Sequence, residues 1–416
     1  MRINERLILL VTLLAIPLYL LLVWLVSQTV LGDISLRKMN EKGFLSAVSY
    51  DGRNATYHYL LGRFYHYQSE NPDLNKAISY YRESVRLCPL QGGCWLDLSK
   101  AYQITGRIKD AENAMERALR LNPKNPAVMW EAGVFYLING NVDIAVTTLR
   151  EFVLLKPEKQ EEVYDLFWKL QLDPQYVLTS IVPYTYPYYK RYFLYLLSAE
   201  RTEEMHTLWS KMTGFPAEDE LFVRYTDYLV AHSHYEEAEH VWKDFVEKKF
   251  TGKTEDQSSL IYNGSFEFEI LNGGFDWKIG KTEGAKVFLD SDTHIRGGRS
   301  LGVAFDGKHN PVITIASQVV RVAPGANYLL RGYIKTDKLT TTNGVFFSVE
   351  GHNCKGMYKK SEVLTGNNFW REVTIEFTTP PDCSALSVNL RREKSDKLDN
   401  KIGGTAWVDG ISLNQK

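Results

Sequence analysis

The chain has 416 residues, 44% hydrophobic and 24% charged, with 49 basic against 50 acidic side chains. That length exceeds what one hydrophobic core fills, so several domains are expected. A net charge of -1 with no Lys/Arg run excludes a general attraction to nucleic acid.

The first element is apolar. No charge occurs between Arg6 and Asp33, and LILLVTLLAIPLYLLLVWLV supplies roughly 20 residues, about 30 Å of helix and enough for one bilayer crossing. A cleaved signal peptide is the competing reading. Its apolar region runs only about 7 to 15 residues, and no small-x-small site comes soon after Val26. An uncleaved transmembrane anchor over 1–32 is therefore expected, with Pro17 tolerated inside it and Trp24 suited to an interface. Basic residues stand on both sides, Arg2 and Arg6 before and Arg37, Lys38 and Lys42 after, so the charge count leaves its orientation open.

A 34-residue period follows. Pro89, Pro123 and Pro157 share that step, as do Ala111 and Ala145, Tyr102 and Tyr136, and Gly106 and Gly140. Small residues such as Ala111, Ala118, Gly133 and Ala145 let the two helices of a hairpin cross closely, while Trp95, Tyr102 and Tyr136 fill the wider gaps. One such hairpin cannot bury its own apolar face, so neighbours must stack. An earlier copy runs from His58, Leu61, Gly62 and Tyr65 through Ala77 and Tyr81 to Pro89, with three extra residues around Ser69–Asp73. Later copies decay: Ile181–Tyr195 reads as a degenerate repeat or connector, and Tyr225, Ala238 and Trp242 sit at nearly repeating offsets. An all-α solenoid is expected over 46–250.

Trp95, Leu98, Ser99, Tyr102, Ala111, Met115 and Pro123 follow the order of Trp, Leu, Gly, Tyr, Ala, Phe and Pro that marks a tetratricopeptide repeat (TPR), which this segment resembles. The resemblance implies a concave surface that holds a segment of another protein.

A polar stretch, 251–258, reads as a linker, and from 259 to 416 short alternating runs separated by Gly, Pro and Asn replace the helical period. ITIASQVVRV, ANYLLRGYIKT, GVFFSVEGH, WREVTIEFTTPP, ALSVNLRR and TAWVDGISL are strand candidates. They predict an antiparallel β-sandwich, so the whole is multidomain: a transmembrane helix, a TPR solenoid, then an all-β jelly roll.

NGSFEFE, GGFDWKI, GGRSLGVAF, SQVVRVAPGANYLLRGYIKT, TGNNFWREVTIEFTTP and AWVDGISL stand in the order seen in jelly-roll carbohydrate-binding modules (CBM4/9/22-like, galactose-binding-like), which the C-terminal region resembles. Such modules bind glycans without cleaving them and commonly hold a structural calcium. The resemblance places Glu267 and Asp409 as its carboxylate ligands, a hard-cation chemistry, and assigns Trp370 and Trp407 to packing.

Strand alternation selects the sugar candidates. Leu330 and Ile334 share one face, which turns Arg331 and Tyr333 to the other; Leu386, Val388 and Leu390 point inward and leave Asn389 and Arg391 outward. These four are expected to line one sheet's open face, joined by Trp277 and His352. An aromatic face for the pyranose ring plus fixed polar groups is what sugar recognition needs. The four cysteines fall as local pairs, Cys88 with Cys94 and Cys354 with Cys383; each pair could close a disulfide, reduced thiols are the alternative, and no C-x-x-C or His pair gives them zinc-ligand spacing.

No G-x-S-x-G, H-E-x-x-H or P-loop motif occurs, and acidic pairs such as Glu161 with Glu162 read as solvated helix surface, so no enzyme is expected. These readings amount to a single-span membrane scaffold, N-terminus cytoplasmic and bulk periplasmic or extracellular, with protein partners on the TPR face, a polysaccharide on the sandwich and no nucleic acid. The alternative is a pure protein-docking factor for an envelope machine.

Overall fold

The computed structural model describes residues 5–212, 214–216, 218–249, 258–398 and 400–416. Residues 251–257 of the expected linker, and Phe250 at the expected end of the solenoid, lie outside the described residues.

Helix α1 (Glu5–Leu36) outruns the expected anchor by a turn. Its first residue outside the apolar run to make tertiary bonds is Thr29, and from there to Leu36 it packs beside α2 (Glu41–Tyr50) and α3 (Ala55–Arg63). Tyr57 of α3 fixes the join: its hydroxyl donates to Asp33 Oδ1 at 2.7 Å and lies 3.0 Å from the Thr29 carbonyl. Gly32 is required there, because a Cβ would lie 2.7 Å from the Tyr57 ring.

The helical pairs then follow the 34-residue step: α3 with α4 (Leu74–Leu87), α5 (Gly92–Ile104) with α6 (Ile108–Leu121), and α7 (Pro126–Ile138) with α8 (Val142–Leu155). Small residues sit at the crossings as the spacing predicts. A Cβ on Gly62 would meet the Tyr81 ring at 2.6 Å, and one on Gly133 would meet Leu149 at 2.5 Å. Gly106 and Gly140 take φ of +75° and +81° where the chain turns between the helices of a pair, a conformation glycine adopts without strain. The irregular first copy has a physical form. A π-helical turn over Phe64–Gln68 widens the end of α3, and Asp73 caps α4 by accepting the Lys76 N–H.

Short helices follow, α9 (Gln160–Lys169) and α10 (Pro174–Ser180), then α11 (Tyr186–Ser198), α12 (Thr202–Met212), α13 (Asp219–Ala231) and α14 (Tyr235–Lys249). The chain divides into two compact units. One runs through Leu196 and takes in Glu203–Leu208; the other holds Leu197–Thr202 and Trp209–Lys416. The α13–α14 pair thus shares its unit with the sandwich.

Among the described residues ten strands form that sandwich: β1 (Lys278–Ile279), β2 (Ala285–Asp290), β3 (Ser300–Asp306), β4 (Ile313–Arg321), β5 (Asn327–Leu339), β6 (Val345–Gly351), β7 (Tyr358–Lys360), β8 (Gly366–Thr378), β9 (Ala385–Arg392) and β10 (Gly403–Gln415). One sheet has the order β1-β4-β9-β6-β7 and the other β2-β3-β10-β5-β8, all antiparallel. Between them lie Phe266, Val303, Ile334, Val345, Leu386, Val388 and Leu413, all buried.

Candidate functional site

The first helices of successive pairs present their side chains to one another. Asp97 of α5 accepts the hydroxyls of Tyr59 at 2.9 Å and Tyr67 at 3.0 Å, with Arg63 at 3.6 Å. Lys100 of α5 reaches Glu131 of α7 at 2.6 Å. Burial, then the Asp97 charge, holds both phenols well above their ordinary pKa, so they stay protonated donors. Together they make a half-exposed aromatic and charged strip along α3, α5 and α7. Such a strip can receive a peptide by stacking and by hydrogen bonds to its backbone.

In the sandwich, the expected four-residue face does not exist. Arg331 and Tyr333 belong to β5, and Asn389 and Arg391 belong to β9, which lies in the other sheet. Alternation correctly turns each pair away from the core, but the two pairs look out from opposite sides of the sandwich. On β5, the Tyr333 hydroxyl donates to Glu372 at 3.0 Å, Arg331 approaches the same carboxylate at 3.3 Å, and Arg296 lies over the Tyr333 ring.

The β9 side is richer in hydrogen-bonding groups. Register aligns Lys278, Ser317, Asn389, Ser348 and Lys360 in one row across the sheet, with Ser387, Glu350 and Tyr358 in the next. Asn389 is nearly buried, its amide reaching Ser348 Oγ at 3.5 Å and the Ser387 carbonyl at 3.2 Å. Arg391 is ion-paired with Glu350. Tyr358, 48% exposed, is an exposed large aromatic of this face and was missed from sequence; Phe346, which pairs with Arg391 on the same side of β6, is buried with Lys360 over its ring. Its strand has only three residues, too few for alternation to register, and the register with Glu350 was the missing signal.

Two aromatic assignments reverse. Trp277 was expected at the sugar face; it is fully buried, packs on Phe266 and donates its Nε1–H to the Asn263 carbonyl at 3.0 Å. Trp407 was expected in the core. Its neighbours Ala406 and Val408 fill that role, and Trp407 lies on the outer side of β10, where Nε1–H donates to Asp290 at 2.7 Å and Lys335 sits over its ring. Trp370 is also half-exposed. His352 is half-buried against the Tyr235 ring of α14; burial, then nearby Lys278, lowers its pKa and keeps the ring neutral.

Glu267 and Asp409 do converge on one loop. Asp409 Oδ2 accepts the N–H groups of Ile295 and Arg296, and Glu267 Oε1 those of Gly298 and Arg299. Burial chiefly, with Glu267's charge adding, raises the Asp409 pKa against these hydrogen bonds. Two adjacent carboxylates, one buried, suit a hard cation. No third acidic, His or Cys side chain joins them among the described residues, so carbonyls and water would complete the shell.

Cys354 and Cys383 are joined in a disulfide, whereas the other candidate pair, Cys88 and Cys94, remain free thiols. Cys94 is buried beside α4 with its thiol directed at the Tyr81 carbonyl at 3.5 Å, and burial pushes its pKa up to about 12.

Residues 96–158 match the family model described as a tetratricopeptide repeat. The tRNA(Glu)-specific nuclease WapA of Bacillus subtilis subsp. natto is 25% identical over 167 residues, which is 38% of this chain. The chain spans only 7% of that relative's length. Among solved structures, a family 16 carbohydrate-binding module is 21% identical over 37% of this chain and 98% of its own (TM-score 0.27). A CBM4 structure is 16% identical over 38% and 99% (TM-score 0.28).

Proposed function

We propose that this chain is a membrane-anchored, non-catalytic scaffold whose helical repeats hold a segment of a partner protein while the β4-β9-β6 side of its sandwich holds a glycan, in the assembly or export of a cell-surface polysaccharide. The protein-binding half is supported by the tetratricopeptide match at 96–158 and by the Tyr59, Tyr67 and Asp97 strip. The glycan half is carried by one observation: Ser387, Asn389, Glu350 and Arg391 lie on one sheet surface beside the exposed ring of Tyr358. That pairing of fixed donors and acceptors with an aromatic face is the chemistry a pyranose requires.

The bulk of the chain lies outside the cytoplasm in this reading, consistent with the Cys354–Cys383 disulfide. Calcium belongs to the proposal too. Glu267 and Asp409 would hold it, tying the segment before β1 and strand β10 to loop 295–299, and its charge would offset two carboxylates held side by side. Thermal unfolding with calcium and with chelator tests this: calcium raises the Tm of the wild type and leaves Asp409→Asn unmoved, and equal curves for the wild type would remove calcium from the account.

A second reading is a protein-docking factor whose sandwich binds no sugar. It is favoured by the ion pairs that already occupy Arg391 and Arg331. Gel retardation by polysaccharide separates the two.

A further inference from the structure

The apolar helix and the repeats are joined without a linker, and this fixes which edge of the repeats faces the bilayer. The inference rests on the membrane-anchor reading. One helix is long and apolar enough to span a membrane among the described residues, and its side chains from Leu13 to Val26 are exposed. Polar Ser27 and Gln28 end the apolar run, so Thr29 stands three residues beyond Val26, about 4.5 Å of helix rise. A headgroup layer is roughly 5–7 Å deep on each side of the hydrocarbon. Thr29 therefore falls inside it.

Other parts of the chain are fastened at that level. Thr29 Oγ1 lies 3.5 Å from Asp51 Oδ2 at the end of α2, because α2 runs back along α1. His58 Nε2 bonds the Gly52 carbonyl at 2.9 Å. Ser84, near the end of α4, donates to the Ala55 carbonyl at 2.9 Å and lies 3.1 Å from Gln91 Oε1, just before α5. The turns 51–54 and 88–91 are thus at one end of the helices, the end from which the span emerges. Their exposed side chains suit an interface: Tyr50 at 39%, Arg53, and Leu90 at 78%. Ile104, equally apolar and 64% exposed, lies at the opposite end of the 13-residue α5, about 20 Å away by helix rise.

We propose that this edge of the solenoid, the turns at 51–54 and 88–91, rests in the lipid headgroup layer, with Arg53 on lipid phosphates and Leu90 and Tyr50 at the hydrocarbon boundary. The continuous α1 and its Tyr57–Asp33 bond set that height, and the strip of Tyr59, Asp97 and Lys100 is thereby held a fixed distance above the membrane.

The test uses the full chain in phosphatidylcholine nanodiscs, with a fluorophore on one introduced cysteine at Leu20, Arg53, Leu90 or Ile104 in a Cys88→Ser background, where the remaining free thiol, Cys94, is buried away from the label. Quenching is read from headgroup-spin-labelled and from deep acyl-chain-labelled lipid. The expected result is loss of fluorescence at Leu20 with chain label, loss at Arg53 and Leu90 with headgroup label, and an unchanged signal at Ile104. Quenching at Leu20 with Arg53 and Leu90 no more quenched than Ile104 overturns the proposal and leaves the anchor standing. An unquenched Leu20 overturns both.

Discussion

Asp227 of α13 pairs with Lys278 of β1 at 2.8 Å, and the same carboxylate oxygen accepts the Gly274 N–H at 3.0 Å. A residue of the helical pair thereby grips the segment that leads into the sandwich. Glu239 and Arg321 make a second tie at 2.6 Å, and the Trp242 ring edge packs on Tyr262 and Phe275. The α13–α14 pair is part of the sandwich's fold rather than a neighbour of it.

Asp227→Ala is therefore expected to lower the stability of this unit by about 1–2 kcal/mol: a partly exposed ion pair contributes little, but the Gly274 N–H loses its acceptor. Chemical unfolding followed by the near-ultraviolet signal reads it. A change below a few tenths of a kcal/mol would show that the tie is incidental.

Asp276 gives a pH signature. It is almost fully buried, and burial pushes its pKa up to about 6 from an ordinary 3.8 despite the Leu271 N–H that it accepts. The folded state then binds this proton more tightly than the unfolded state, so the group costs stability above pH 6, and that cost disappears as pH falls toward 4. Asp276→Asn should be more stable than the wild type at pH 7.5, by up to about 3 kcal/mol, with the advantage shrinking steadily between pH 6 and pH 4. A difference that stays constant with pH would contradict the assignment.

The two faces of the sandwich separate cleanly by mutation. Tyr358→Ala should weaken glycan retention by roughly 2- to 10-fold, the worth of one aromatic stack, with the Tm unchanged because the ring is exposed. Tyr333→Ala, on the opposite side, should leave retention as it was while losing the Glu372 hydrogen bond. The reverse pattern would place the sugar on the β5 side.

Thiol counting tests the cysteines. Denaturation without reductant should expose two reactive thiols, Cys88 and Cys94, and reduction should release two more from Cys354 and Cys383. Opening that bridge, which closes a loop of 29 residues, should cost about 3.5 kcal/mol of stability. Four thiols before reduction would remove the disulfide and its support for a location outside the cytoplasm.

The sequence carried the architecture further than the site. A 34-residue step is local and repeats itself, so Gly62, Ala111 and Gly133 disclosed the helix crossings without any knowledge of tertiary structure. The three extra residues near Ser69 were visible, but not their form, since a π-turn needs no special residue. For the sandwich, alternation told which side of a strand faces the core, and it was right for Tyr333 and Asn389. It could not tell which sheet a strand joins. That depends on pairings such as Ser348 with Asn389, 41 residues apart, and so the two pairs were wrongly gathered on one face. Trp277 misled for a related reason: just ahead of the two-residue β1, it lacked an alternating run to mark it as inward.

The most direct test of the central claim is affinity electrophoresis of the full chain, in detergent, through gels containing a panel of bacterial polysaccharides, alongside Tyr358→Ala. The account predicts that one polymer class retards the wild type and that the variant, equally folded, migrates faster through the same gel. A folded wild-type chain that no polymer in the panel retards would contradict the glycan-holding scaffold and leave the docking factor in its place.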